Sequence, residues 1–162
     1  MTAQIANGGY KIYPKIVMDD ENKVSPIDKF TPLYKNSKNI KIVQDAMFAS
    51  TNEVRGTSYR SRIDDPKYQF AGKTGTAQVK KITERDRELD LKTFQIPYEE
   101  RDHALYIAYG PYKNPRYAVS ILVEHGGNGS TTAAPMAKKL FKTIIDRHQL
   151  RESINNKKYF II

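Results

Sequence analysis

Two glycines set inside a strand-like run constrain this chain more than any other feature. Ala71-Gly72-Lys73-Thr74-Gly75-Thr76-Ala77-Gln78-Val79 follows the turn-formers Asp65-Pro66 and predicts a strand over about 70–79. Side chains of a strand alternate between faces, so Lys73, Gly75 and Ala77 share one side and Thr74, Thr76 and Gln78 the other. Glycine weakens a strand unless something must approach its backbone. A strand edge carrying a cation, hydroxyls and a missing side chain suits an extended peptide that ends in a carboxylate. Its main chain can pair with the edge while Lys73, Thr74 and Thr76 hold the negative end. Gly72-Lys73-Thr74 is not the tail of a phosphate-binding loop, because that pattern needs glycine at the position Lys67 occupies. A threonine-rich strand with a surface lysine is the plainer reading of these residues alone.

The 162 residues suffice for one domain with a core. At 39% apolar and 28% charged residues, the composition is that of a soluble globular protein. Without cysteine there is neither a disulfide framework nor a thiolate metal site. No run reaches membrane-spanning length and no signal peptide opens the chain, so no membrane segment or export address is expected within it. A net charge of +9 favours polyanions. The cations are spread along the whole length, however, with no basic run interleaved with aromatics. That speaks for a solvated basic surface and against nucleic acid as a partner.

Residues 1–9 read as the last turns of a helix stopped by Asn7-Gly8-Gly9, a helix that looks cut off at its start. Residues 10–18 predict a short extended segment interrupted by Pro14, and 19–39 a polar loop. Ile40, Val43, Ala46 and Met47 fall at helical spacing and predict an amphipathic helix over 40–52. Residues 80–103 read as a solvated connection with at most a helical turn. Strands are clearest at 104–110 and 117–124, joined through Gly110, Pro111, Asn114 and Pro115 into an antiparallel hairpin. Gly126-Gly127-Asn128-Gly129-Ser130 then leads into a helix over 132–148. Met136, Leu140 and Ile144, beside Ala137, Phe141 and Ile145, give it a broad apolar face. Pro135 is tolerated in its first turn. The glycine-rich loop lacks the lysine of a phosphate loop and the third glycine of a dinucleotide fingerprint, so no nucleotide cofactor is expected. His103, His125 and His148 stand in no metal-ligand spacing, so no metal is expected either.

The ordered set A-G-K-T-G-T-A-Q-V, R-D-H before a strand, G-P-Y-K-N-P at a hairpin turn and V-E-H-G-G-N-G-S before the last helix resembles the C-terminal part of a penicillin-binding transpeptidase domain. The likeness is greatest to the penicillin-binding protein 2 family of class B peptidoglycan D,D-transpeptidases. Met1 to Pro14 resembles the helix and strand that this family places ahead of its Lys-Thr-Gly strand. The resemblance implies an α+β fold of antiparallel strands covered by a C-terminal helix. It covers residues 1–149 as a partial transpeptidase domain and leaves 150–162 as a tail, unstructured or docking.

In such enzymes a serine attacks the D-Ala-D-Ala bond of a peptidoglycan stem peptide, and β-lactams acylate the same serine. The resemblance assigns Lys73 the catalytic positive charge near the carboxylate and the proton-relay groups. It assigns the Thr74 and Thr76 hydroxyls to the carboxylate, and the Thr76 N–H to one half of an oxyanion hole. Gly75 leaves room for the substrate strand and the neighbouring helix. The implied location of the full-length family is the periplasmic face of the inner membrane.

One departure is severe. No serine or threonine in this chain has a lysine three positions later, so the acylated serine of S-x-x-K is absent. Ser-x-Asn occurs as Ser37-Lys38-Asn39, Ser50-Thr51-Asn52 and Ser153-Ile154-Asn155, none where the family places that motif. The expectation is a C-terminal fragment that is inactive alone and needs the missing N-terminal part of the transpeptidase as partner. The alternatives are a catalytically silent interaction module and a non-functional truncated product. One edge of the hairpin would lack its pairing strand, so self-association or poor solubility is expected.

Overall fold

The computed structural model describes residues 1–14, 31–81, 83–89 and 91–158. At its centre is a three-stranded antiparallel sheet in the order β1-β2-β3, with β1 at Ala71–Ala77, β2 at His103–Gly110 and β3 at Tyr117–Val123. The expected strands are thus all present, with every end within two residues of the expected one. Gly75 lies opposite Leu105 and Lys73 opposite Ile107, while Ile107 also faces Ser120 on β3. β2 is central and its residues are buried from both sides, Ala104, Tyr106 and Ala108 on one face and Tyr109 on the other.

A C-terminal helix, α4 (Ala134–Lys158), covers the first face. Ala133, Ala134, Ala137, Phe141 and Ile145 pack there against Phe70, Ala104, Tyr106 and Ala108. The small residues let the helix axis approach the sheet, and Phe141 stacks on Phe70 with centroids 4.9 Å apart. Each of these fully buried aromatics contributes about 2–3 kcal/mol. The broad apolar face expected of this helix is only half used. Met136 and Leu140 are exposed, because the stripe 134, 137, 141 and 145 faces the sheet and they lie to its side. The helix is preceded by a π-turn over Gly129–Ala133, where a regular start at 132 was expected. It also continues to Lys158 rather than stopping at 148, passing through much of the segment set apart as a tail.

The second face carries α1 (Thr2–Ala6) and α2 (Ser37–Asn52). Asn36 starts α2 three residues earlier than expected, its side chain accepting the Lys38 N–H at 3.0 Å. Met47 of α2 packs on Ala71 and Tyr109, but Val43 and Ala46 of the expected apolar stripe stay exposed. Of the expected extended segment at 10–18, Tyr10 forms a bridge with Pro32, and positions 15–18 lie outside the described residues, as do 19–30 of the expected loop. The 80–103 connection holds a short helix, α3 (Glu84–Leu89), and two 3-10 turns. Among the described residues β1 and β3 each pair with β2 alone, which leaves an edge open on both sides of the sheet. No helix among them is long and apolar enough to cross a membrane.

Candidate functional site

β1 starts buried and ends in solvent. Ala71 and Gly72 are buried, Thr74 and Gly75 half-buried, and Lys73, Thr76 and Ala77 exposed. Its buried start is fixed from both faces. Asn52, at the end of α2, donates to the Phe70 carbonyl at 2.9 Å. Tyr106 passes over Gly72, where a Cβ would fall 2.3 Å from the phenolic oxygen. That oxygen lies 2.9 Å from Thr51 Oγ1 and 3.0 Å from Ser58 Oγ. Glycine at 72 is therefore what lets the sheet's central tyrosine reach the polar end of α2.

The exposed half carries the chemistry. Lys73 Nζ donates to the Thr74 carbonyl at 2.9 Å and lies 3.4 Å from Thr74 Oγ1. Lys73 also borders a groove of about 590 Å³ between α2 and the sheet, floored by Ile5, Met47 and Ile107. Thr74 and Thr76 lie on the opposite face from Lys73, as alternation requires. Gly75 sits between two neighbours. A Cβ on it would lie 3.3 Å from Leu105 Cβ, and Gly129 rests on its main chain. Asn128 begins the π-turn that delivers Gly129, accepting the Ser130 N–H at 2.8 Å. The four residues singled out in sequence thus share one accessible strand edge with a cation, two hydroxyls and a closely approached backbone. Such an edge can pair with an extended chain and neutralise a terminal carboxylate.

The structure adds residues that sequence reasoning passed over. Thr57 Oγ1 lies 3.5 Å from Thr74 Oγ1 and 3.2 Å from Ser50 Oγ. No motif marks Thr57, and a position 17 residues away from Thr74 carries no local signal of contact. The Gly-rich loop gave a glycine count but not its use, which is the contact of Gly129 with β1. Of the three Ser-x-Asn matches, Ser50-Thr51-Asn52 ends α2 and ties it to β1, and Ser37-Lys38-Asn39 begins α2. The third lies in α4, its side chains outside the described ones. His103 Nδ1 accepts the His125 N–H at 2.9 Å, and the two rings meet edge to face. This pair fastens the start of β2 to the loop after β3. Among the described residues no three His, Asp or Glu side chains gather as a metal site.

Residues 1–145 match the penicillin binding protein transpeptidase domain. The peptidoglycan D,D-transpeptidase MrdA of Salmonella typhimurium is 36% identical over 105 residues, which are 65% of this chain and 16% of the relative. That of Haemophilus influenzae is 39% identical over 94 residues, 58% of this chain and 14% of the relative. The chain therefore spans about a sixth of these relatives' length. Among solved structures, the Helicobacter pylori PBP2–MreC complex superposes with a TM-score of 0.66 at 28% identity, over 90% of this chain and 23% of that one. Pseudomonas aeruginosa PBP2 in complex with WCK 5153 gives 0.63 at 31% identity, over 88% and 28%.

Proposed function

The chain belongs to the penicillin-binding protein transpeptidase domain family, and on that premise we propose that it supplies the Lys-Thr-Gly half of a peptidoglycan D,D-transpeptidase site. β1 receives a stem peptide ending in D-Ala-D-Ala, or a β-lactam, as an added strand. Lys73 supplies positive charge to the carboxylate and to proton transfer, the Thr74 and Thr76 hydroxyls hold the carboxylate, and the Thr76 N–H serves the oxyanion. Gly75 keeps the approach open. The attacking serine and its lysine come from a segment outside these 162 residues, since no S-x-x-K occurs within them. That segment, the N-terminal part of the transpeptidase, is the partner of the open edge of β3 and of the apolar residues α2 and α4 leave exposed. The periplasmic face of the inner membrane is the place of action, and residues from 150 onward form an appendage to the domain.

The observation that carries this reading is the open edge of β1 with Lys73 and Thr76 exposed on it. Mass spectrometry of the chain after incubation with penicillin tests it. The chain alone gains no covalent penicillin mass, and the mixture with a separately produced N-terminal transpeptidase segment gains one, on that segment. An adduct on a serine of this chain, or none in the mixture although the two pieces associate, would overturn it.

A further inference from the structure

The loop after α2 brings a hydroxyl to β1 from a stretch that no motif marks. Gly56 folds back on the helix so closely that a Cβ there would lie 2.3 Å from the Ser50 carbonyl oxygen and 2.5 Å from that of Ala49. Ser58 fastens the return, its N–H and its Oγ each donating to the Ser50 carbonyl at 3.0 Å. The same Ser58 Oγ lies 3.0 Å from Tyr106 Oη, deep in the sheet. Thr57 is held between these two fixed residues, and its hydroxyl has little choice of place. It stands between Ser50 Oγ at 3.2 Å and Thr74 Oγ1 at 3.5 Å.

Either oxygen can be the donor at both contacts, and one order of the protons leaves Thr74 ready to donate. A hydroxyl oxygen accepts two hydrogen bonds and donates one, whereas an ammonium only donates. Lys73 Nζ, 3.4 Å from Thr74 Oγ1, fills one acceptor position of that oxygen. If Ser50 donates to Thr57 and Thr57 to Thr74, the second position is filled as well. The Thr74 proton is then left for an acceptor from outside. Resting on the reading of β1 as the carboxylate-holding strand, we propose that Thr57 is a positioning residue of this site. It donates to Thr74 and so turns the Thr74 O–H toward the carboxylate of the bound peptide.

The test titrates the full 162-residue chain with an N-acetylated peptide ending in D-Ala-D-Ala, and with the same peptide as its C-terminal amide. Binding is read by calorimetry and folding by thermal unfolding, for wild type, T57V, T57S, T74V and T57V/T74V. T57V is expected to weaken the acid peptide about fivefold, the size of one ordinary hydrogen bond. T57S restores affinity to within about twofold, and T57V has no further effect once T74V is present. Wild-type affinity in T57V, a loss that T57S fails to restore, or losses that add independently to T74V would each overturn the positioning role and leave the proposed function standing. A wild-type chain that does not distinguish acid from amide would overturn the proposed function, and the role of Thr57 with it.

Discussion

Gly129 lies on the main chain of Gly75: a Cβ at 129 would fall 2.8 Å from the Gly75 carbonyl oxygen, 3.3 Å from its nitrogen and 2.4 Å from the Leu105 carbonyl oxygen. All three neighbours are backbone atoms of paired strands, which cannot swing aside as a side chain can. G129A should push the π-turn away from β1 at a cost of about 1–3 kcal/mol. G75A meets only Leu105 Cβ, at 3.3 Å, and should cost less. Chemical denaturation of the two variants checks the order, and amide shifts over residues 73–77 should move in G129A. Equal stability in G129A and wild type would show that the π-turn does not brace the strand.

Tyr106 links the core to the polar end of α2, and removing its hydroxyl takes one contact each from Thr51 and Ser58, which keep their bonds to the Met47 and Ser50 carbonyls. Thr51 and Ser58 are themselves buried but remain hydrogen-bonded elsewhere, so Y106F should destabilise the fold at pH 7 by about 0.5–1.5 kcal/mol for each hydrogen bond lost. Burial pushes the Tyr106 phenol above its ordinary range, although the hydrogen bonds with Ser58 and Thr51 work the other way. Burial also raises Tyr109, helped by Tyr112 and Asp45. A raised phenol contributes stability that is fully present below the unfolded value of about 10 and is lost as pH rises through the folded value. The gap between wild type and Y106F in urea midpoints should therefore narrow above about pH 10. A gap that stays constant to pH 11 would refute the coupling.

The strands and the last helix were legible because each is announced locally. Tyr117–Val123 alternates, Gly110 to Pro115 turns, and Ala137, Phe141 and Ile145 recur at helical spacing. What stayed hidden depends on contacts between distant positions. Periodicity marked Met136 and Leu140 as apolar, but not which part of the helix circumference would meet the sheet. The Lys-Thr-Gly run showed its own residues and nothing of the loop that brings Thr57 beside them. Asn36 was missed as a helix start because it stands four residues ahead of Ile40, the first apolar position of the stripe.

Asp146 joins α4 to the turn before β1. Tyr68 Oη donates to its carboxylate, and Lys67 Nζ lies 3.4 Å from the same oxygen. The Tyr68 bond first, and Lys67 with it, hold the Asp146 carboxyl below the usual carboxylate range. A lowered carboxyl contributes stability present above its unfolded value of about 3.9 and lost as pH falls through the folded one. D146N should melt slightly below wild type at pH 7, and the two curves should converge toward about pH 2–3. Melting curves that stay parallel down to that pH would mean the cluster contributes nothing, as for many exposed ion pairs.

Lys73 offers the cleanest separation of fold from chemistry. It is exposed, and its ammonium donates back to Thr74 of its own strand rather than tying two elements together. K73M keeps much of the aliphatic stem against the groove and removes only the charge, so stability should change by less than about 0.5 kcal/mol. Binding of the D-Ala-D-Ala acid peptide should nevertheless fall by about tenfold or more, since the charge-assisted contact to the carboxylate proposed for Lys73 would be lost. K73R should recover only part of it, because a planar fork does not replace a point charge folded over Thr74. The wild-type affinity should also weaken with salt, and that slope should flatten in K73M. If K73M instead lowered the unfolding midpoint and left affinity and salt slope unchanged, Lys73 would be a bracing residue of the strand, and the carboxylate would have to be held by other groups.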